Sequence, residues 1–232
     1  MRTKTLVLTA LSSLSALGLM AQTSTNVYSL NAVGYINVTI PPGFSIVADQ
    51  LWASGGNAIS NVVNDTSGVY DGVTYFKWTG SGFNFDTANA AFAPSTGGWP
   101  SGGTDTLNPG EAAWFQNPNN TNLTFTFVGT VPQGTNSVVL HTGFSMISSP
   151  VPQAGLLSTD LGFTNVNVGD TVFVWDPVAK TYQNSGDQVV GPPFGTGYGG
   201  LWSAEPSLAV GQGFWYQATA NVTWTRVFSV NQ

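Results

Sequence analysis

The chain has 232 residues, of which 7% are charged and 12% aromatic, with 28 Gly, 13 Pro, 8 Trp and no Cys. Disorder would combine high charge with few aromatics, and a helical bundle would not carry so many glycines and prolines. Nucleic-acid binding needs a cationic surface, whereas the net charge here is −6.

Arg2 and Lys4 precede an apolar run from Leu6 to Leu19 and then Met20-Ala21. This is the layout of a secretory signal, and the run is short for a membrane span of about 20 residues. Residues 1–21 are therefore read as a signal peptide, with cleavage after Ala21 and Gly18 as the other candidate position. No later stretch is apolar enough for a transmembrane helix, and after cleavage only Lys77, Lys180 and Arg226 oppose 11 acidic residues. The expected location is extracellular or on the cell surface, with the periplasm as the remaining compartment. A chain of this length can bury a core without disulfides.

Past the signal, Ile36-Asn37-Val38-Thr39-Ile40 alternates apolar and polar residues, the signature of a half-buried strand. A short helix is expected from Ala58 to Val63. The stretch Trp78-Thr79-Gly80-Ser81-Gly82-Phe83-Asn84-Phe85 reads as a hairpin turning on its glycines, and Leu123 to Phe127 alternates as a second strand. Further on, Trp175 to Tyr182 reads as a hairpin whose turn starts at Asp176-Pro177, and Val222-Thr223-Trp224 alternates again.

Many of these segments occur twice. Gly43-Phe44-Ser45 recurs as Gly143-Phe144-Ser145, and Phe76-Lys77-Trp78 matches Phe173-Val174-Trp175. Gly98-Trp99 resembles Gly200-Leu201-Trp202 with one insertion. Pro109-Gly110-Glu111-Ala112-Ala113-Trp114-Phe115 aligns with Val210-Gly211-Gln212-Gly213-Phe214-Trp215-Tyr216, and Asn122 to Thr126 aligns with Asn221 to Thr225. The order and near-constant offset predict an all-β chain of two homologous units of about 100 residues, 22–132 and 133–232, sandwich- or barrel-like and related by internal duplication. They form either tandem domains or halves of one pseudo-symmetric domain. Val27-Tyr28-Ser29-Leu30 also resembles Val227-Phe228-Ser229-Val230. A last strand closing the second unit explains this, and so does a terminal strand that pairs with a neighbouring molecule.

The succession Gly-Phe-Ser, a hairpin Trp, then Pro-Gly-x-Ala-x-Trp-Phe, together with the start Val27-Tyr28-Ser29-Leu30-Asn31-Ala32-Val33-Gly34-Tyr35, resembles secreted β-repeat proteins of planctomycete–verrucomicrobial bacteria. The resemblance spans nearly the whole mature chain, departs from the motif at Val210-Gly211, and implies a surface or extracellular β-module with no particular activity. The Asn-x-Thr triplets, such as Asn37-Val38-Thr39, are then polar strand positions rather than glycan sites.

Little chemistry is on offer. His141, the single histidine, occupies the place of Pro41 in the first copy and reads as a loop residue at a strand end. With no cysteine and no second histidine, the usual zinc and copper sites are excluded, and no cofactor is expected. The loop from Asp65 to Asp71 has oxygen ligands at spacings a calcium loop uses, but it lacks the full EF-hand pattern, and an acidic turn is the preferred reading. Eleven acids leave carboxylate-dependent glycoside hydrolysis open, but they do not follow the repeat: Glu111 faces Gln212, and Asp176 faces Thr79.

Tryptophan is the most informative side chain. Trp78, Trp114, Trp175, Trp215 and Trp224 lie in strand-like repeated contexts and are assigned to the two cores. Trp99 and Trp202, in Gly- and Pro-rich loops, either cover the ends of the units or stack on a sugar, and Trp52 is placed with them. The leading expectation is a secreted, non-catalytic structural or adhesive protein that associates with itself through Val27, Tyr28, Leu30, Val227, Phe228 and Val230. The alternative is a carbohydrate-binding module using Trp99, Trp202 and Trp52, with polysaccharide as partner, and the third is the hydrolase.

Overall fold

The computed structural model describes residues 32–189 and 201–230. The expected signal peptide and Val27, Tyr28 and Leu30 lie outside the described residues. The chain is mostly strand, as its Gly- and Pro-punctuated alternating pattern predicts. The first half contains β1 (Val33–Ile40), β2 (Gly43–Val47), a one-turn helix α1 (Ile59–Val62), β3 (Thr74–Trp78), β4 (Phe83–Thr87), a short helix α2 (Ala93–Thr96), β5 (Ala113–Asn117) and β6 (Leu123–Thr130). The second contains β7 (Gly134–Leu140), β8 (Gly143–Ser148), β9 (Gly155–Leu156), β10 (Thr171–Phe173), β11 (Trp175–Asp176), β12 (Thr181–Tyr182), β13 (Asp187–Gln188), β14 (Ser207–Leu208), β15 (Gly213–Ala218) and β16 (Val222–Phe228).

Strand pairing follows the same order in both halves. β1 pairs with β6, and β7 with β16, as antiparallel ladders. Four-stranded sheets run β2-β5-β3-β4 and β8-β15-β10-β13. All of these sheets are open, so the barrel-like alternative does not hold among the described residues. The boundary expected at 132/133 falls in the link between β6 and β7, and the described residues form one compact unit.

Each half has its own core. In the first, Ile36 and Ile40 of β1, Tyr75 of β3, Phe115 of β5 and Phe125 and Phe127 of β6 are buried together. The second collects Leu140, Phe163, Val172, Phe214, Tyr216, Val222 and Trp224 in the same way. Phe228 of β16 and Val210 pack against the first core, so the halves interlock.

The junction is reciprocal. The Ala48 amide donates to the Gly211 carbonyl (2.9 Å), and the Ser148 amide donates to the Gly110 carbonyl (3.0 Å). Gly110 lies against Val138 and Gly211 against Val38, so closely that a Cβ would sit 2.4 and 2.3 Å from a valine methyl carbon. Gln50 bridges as well: its Nε2 donates to the Ser149 carbonyl (3.2 Å) and its Oε1 accepts from the Gly211 amide (2.9 Å).

Beside Gln50, Asp49 is completely buried, accepting from the Leu51 amide (2.9 Å) and Asn57 Nδ2 (3.0 Å). Burial outweighs these bonds and pushes its carboxyl up to about 7. A carboxyl raised in the folded state binds its proton more tightly there than in the unfolded chain. Its contribution is therefore fully present below the unfolded value of 3.8 and is lost as pH rises through about 7. The melting temperature should fall between pH 5 and pH 8, and Asp49→Asn should flatten that fall. A wild-type melting temperature that is unchanged or rises over this interval would contradict the assignment.

Candidate functional site

The four-stranded sheets are apolar on both faces, whereas an antiparallel sheet commonly buries one and solvates the other. In the first, the register sets Phe76 opposite Phe85 and Trp114, Trp78 opposite Phe83, and Trp114 opposite Ile46. Period-2 alternation thus puts Phe44, Ile46, Phe76, Trp78, Phe83, Phe85 and Trp114 on one face, with Val47, Tyr75 and Phe115 directed into the core. In the second, Phe173 stands opposite Trp215, and Trp215 opposite Met146, with Phe144 two residues before it on the same face. Trp175 and Tyr182 pair in the adjoining β11–β12 hairpin.

These side chains meet across the junction. Trp78 packs edge-on against Trp215 (5.5 Å between ring centroids), and Trp175 packs edge-on against Trp114 (5.4 Å). Trp78 Nε1–H donates to the Phe144 carbonyl (2.9 Å) and Trp175 Nε1–H to the Phe44 carbonyl (2.8 Å). Below them lie Ile46, Ala48, Ala112 and Met146, all buried. Further contacts join Phe44 to Phe76 and Trp114, Phe83 to Phe76 and Trp78, Phe144 to Phe173 and Trp215, and Tyr182 to Phe173 and Trp175. Ten rings, five from each half, make a closed circuit, to which Phe85 is attached through Phe76. Each such pair adds about 0.5–1.5 kcal/mol beyond area burial.

The circuit encloses two shallow clefts. One, of about 440 Å³, is lined by Phe44, Phe76, Phe83, Trp114 and Trp175. The other, of about 380 Å³, is lined by Trp78, Phe83, Phe144, Phe173, Tyr182 and Trp215. Among the described residues no carboxylate, amide or charged side chain lines either cleft. Phe85 is 65% exposed, and Phe44, Phe83 and Phe144 are exposed as well.

The tryptophans are thereby redistributed relative to the sequence reading. Of the five assigned to the cores, only Trp224 is buried; Trp78, Trp114, Trp175 and Trp215 are half-buried at the junction. Conversely, Trp99 (0% exposed) and Trp202 (3%) are core residues. Trp99 Nε1–H donates to the Val63 carbonyl (2.8 Å), and Trp202 Nε1–H to Ser158 Oγ (2.6 Å). Neither presents a ring face to solvent, so the sugar-stacking role assigned to these two does not fit. Trp52 is 49% exposed and exchanges backbone hydrogen bonds with Thr130, apart from the aromatic circuit. No family model, curated protein or solved structure matches this chain.

The remaining expected residues lie elsewhere. Val227 and Phe228 pair with Thr135 and Gly134 in the β16–β7 ladder of their own chain, and the exposed Val230 donates its amide N–H to Gln133 Oε1 (3.1 Å). The C-terminal strand thus closes the second half, which leaves Val227 and Phe228 already paired. His141 is exposed in the turn between β7 and β8, at a cleft of about 400 Å³ that also holds Lys77 and Glu111. Glu111 Oε2 already accepts from Lys77 Nζ (3.1 Å), Thr106 Oγ1 (2.9 Å) and the Asn108 amide (3.0 Å). Asp65 is buried and Asp71 exposed, on the loop that leads into β3.

Proposed function

We propose that this is a secreted, non-catalytic structural or adhesive protein whose aromatic face joins one copy of the chain to another. The observation that carries the reading is the ten-ring circuit, left partly exposed in a chain of few charges. Large exposed apolar patches on soluble proteins mark interaction sites. A second copy suits this one because the chain is acidic overall while the circuit carries no charged side chain, so two such faces meet without like-charge repulsion. The protruding rings of Phe44, Phe83, Phe85 and Phe144 are of a kind with the clefts beside them. The repeated motifs and the matching strand order support internal duplication as the origin of the two halves. This reading replaces terminal-strand exchange, whose C-terminal residues Val227 and Phe228 are engaged within the chain.

Carbohydrate recognition is less well supported. A sugar site needs polar groups placed for the hydroxyls around its aromatic platform, and the indole N–H groups of Trp78 and Trp175 are bonded to backbone carbonyls. Light scattering of the purified protein should show molar mass rising with concentration. The double variant Phe85→Ser/Phe144→Ser, which alters only exposed rings, should stay monomeric with an unchanged circular dichroism spectrum. A monomer at every concentration would reject self-association, and a tryptophan fluorescence shift on adding a glycan would favour the carbohydrate reading instead.

A further inference from the structure

Among the described residues, two buried side-chain polar atoms have no hydrogen-bond partner: Ser45 Oγ and Asp65 Oδ2. Ser45 is neutral and lines a cleft of about 280 Å³. Asp65 is different, because its unpartnered atom belongs to a carboxyl and it is 0% exposed.

Its side chain is held in place. Oδ1 accepts from the Tyr70 amide (3.0 Å), the Asp65 amide donates to the Gly97 carbonyl (2.8 Å), and Gly98 packs so tightly that a Cβ there would lie 2.8 Å from Asp65 Cβ. Its neighbour is the Asp71 carboxylate, whose Oδ1 accepts from the Ala90 amide (2.6 Å). The Asp65 and Asp71 carboxyls lie side by side. A buried carboxylate oxygen without a donor costs several kcal/mol unless a proton or a cation neutralises it.

The second half solves the same problem differently. Asp170, immediately before β10, is buried, and donors reach both of its oxygens: Thr219 through its amide and Oγ1 (2.7 Å each), Asn167 through its amide (2.7 Å), and the Tyr216 hydroxyl. Burial pushes its carboxyl up, but these bonds prevail and hold it below the usual range. Asp65 lacks such a set of donors and has a second carboxylate in their place.

We propose that Asp65 Oδ2 and the Asp71 carboxylate together bind a calcium ion. Calcium accepts the irregular oxygen geometry of a loop, whereas magnesium demands a near-ideal octahedron. With two carboxylates the site belongs to the weak class of extracellular modules, half-saturated at about 0.1–1 mM. Asp71 is bonded to Ala90, just beyond β4, and precedes β3. The ion therefore fastens the base of the hairpin that presents Phe76, Trp78, Phe83 and Phe85.

Terbium, which replaces calcium and emits when excited through nearby aromatic rings, tests this on the intact protein. Emission sensitised through Tyr70 should appear, calcium at millimolar concentration should displace it, and magnesium should do so much less. Calcium should raise the melting temperature by about 2–5 °C, and Asp71→Asn, at an exposed position, should abolish both effects. Absence of sensitised emission together with a melting temperature that ignores calcium would overturn the proposal in favour of a proton shared by the two carboxyls. Retention of terbium binding in Asp71→Asn would overturn it as well.

Discussion

Replacing Trp99 by Ala should cost about 3–5 kcal/mol of folding stability, the range for deleting a buried aromatic ring. The ring has no exposed surface, packs edge-on against Tyr75 (5.1 Å between centroids), and donates its N–H to the Val63 carbonyl behind α1. Gly103 lies on it so closely that a Cβ would approach the ring carbon Cγ to 2.8 Å. Deletion leaves both a cavity and an unpartnered carbonyl, and the loop from α2 to β5 loses its anchor. Trp202→Ala should behave similarly, since its N–H is bonded to the buried Ser158. By contrast Trp52→Ala, at a half-exposed ring, should cost less than about 1 kcal/mol. Chemical denaturation of the three variants checks this, and a Trp99→Ala variant as stable as wild type would contradict the placement.

Gly110→Ala and Gly211→Ala should each be strongly destabilising, and by similar amounts. Their φ angles are +97° and +78°, a region L-residues rarely adopt, and the added Cβ would collide with Val138 or Val38 of the opposite half. The backbone contributes about 1–2 kcal/mol and the overpacking about 1–3 kcal/mol, which together lower the melting temperature on the order of 10 °C. Because the contacts are reciprocal, each clash has its own relief. Val138→Ala should partly rescue Gly110→Ala, and Val38→Ala should partly rescue Gly211→Ala, giving a coupling that two independent sites would not show. Additive effects in both double variants would mean that the valines do not press on the glycines.

Much of this architecture is legible in the sequence. The alternation from Ile36 to Ile40 and from Leu123 to Phe127 lies within β1 and β6, and those strands pair with each other. Ala58 to Val63 contains α1, and both expected hairpins form, β3–β4 and β11–β12. The helix at Ala93–Thr96 is a single turn with Pro near its start and Gly97 as its cap, a signal too short to stand out from a loop in the sequence. The tryptophans escape a local reading for a more general reason. Alternation says which residues share a face but not which face is inside, and ordinarily the more aromatic face is the buried one. Here Phe76 and Trp78 lie on the outer face while Tyr75 lies on the inner, so the larger apolar set belongs to the junction. Only the contact between the two halves, which no local pattern encodes, explains why Trp78 and Trp175 recur at equivalent positions. Burial of the loop tryptophans has the same origin: Gly97, Gly98 and Gly103 let the backbone approach closely enough for the Trp99 ring to enter the core.

The central claim, that copies of the chain meet through the aromatic circuit, is tested most directly by residue-resolved oxidative footprinting of the purified protein at low and high concentration. In dilute solution Trp52 and the face residues Phe44, Phe85 and Phe144 should be labelled, Trp78, Trp114, Trp175 and Trp215 less so, and Trp99, Trp202 and Trp224 should be protected throughout. Raising the concentration should suppress labelling of the face residues and leave Trp52 unchanged. Face residues labelled equally at all concentrations, or protection that appears at Trp52 instead, would contradict the account.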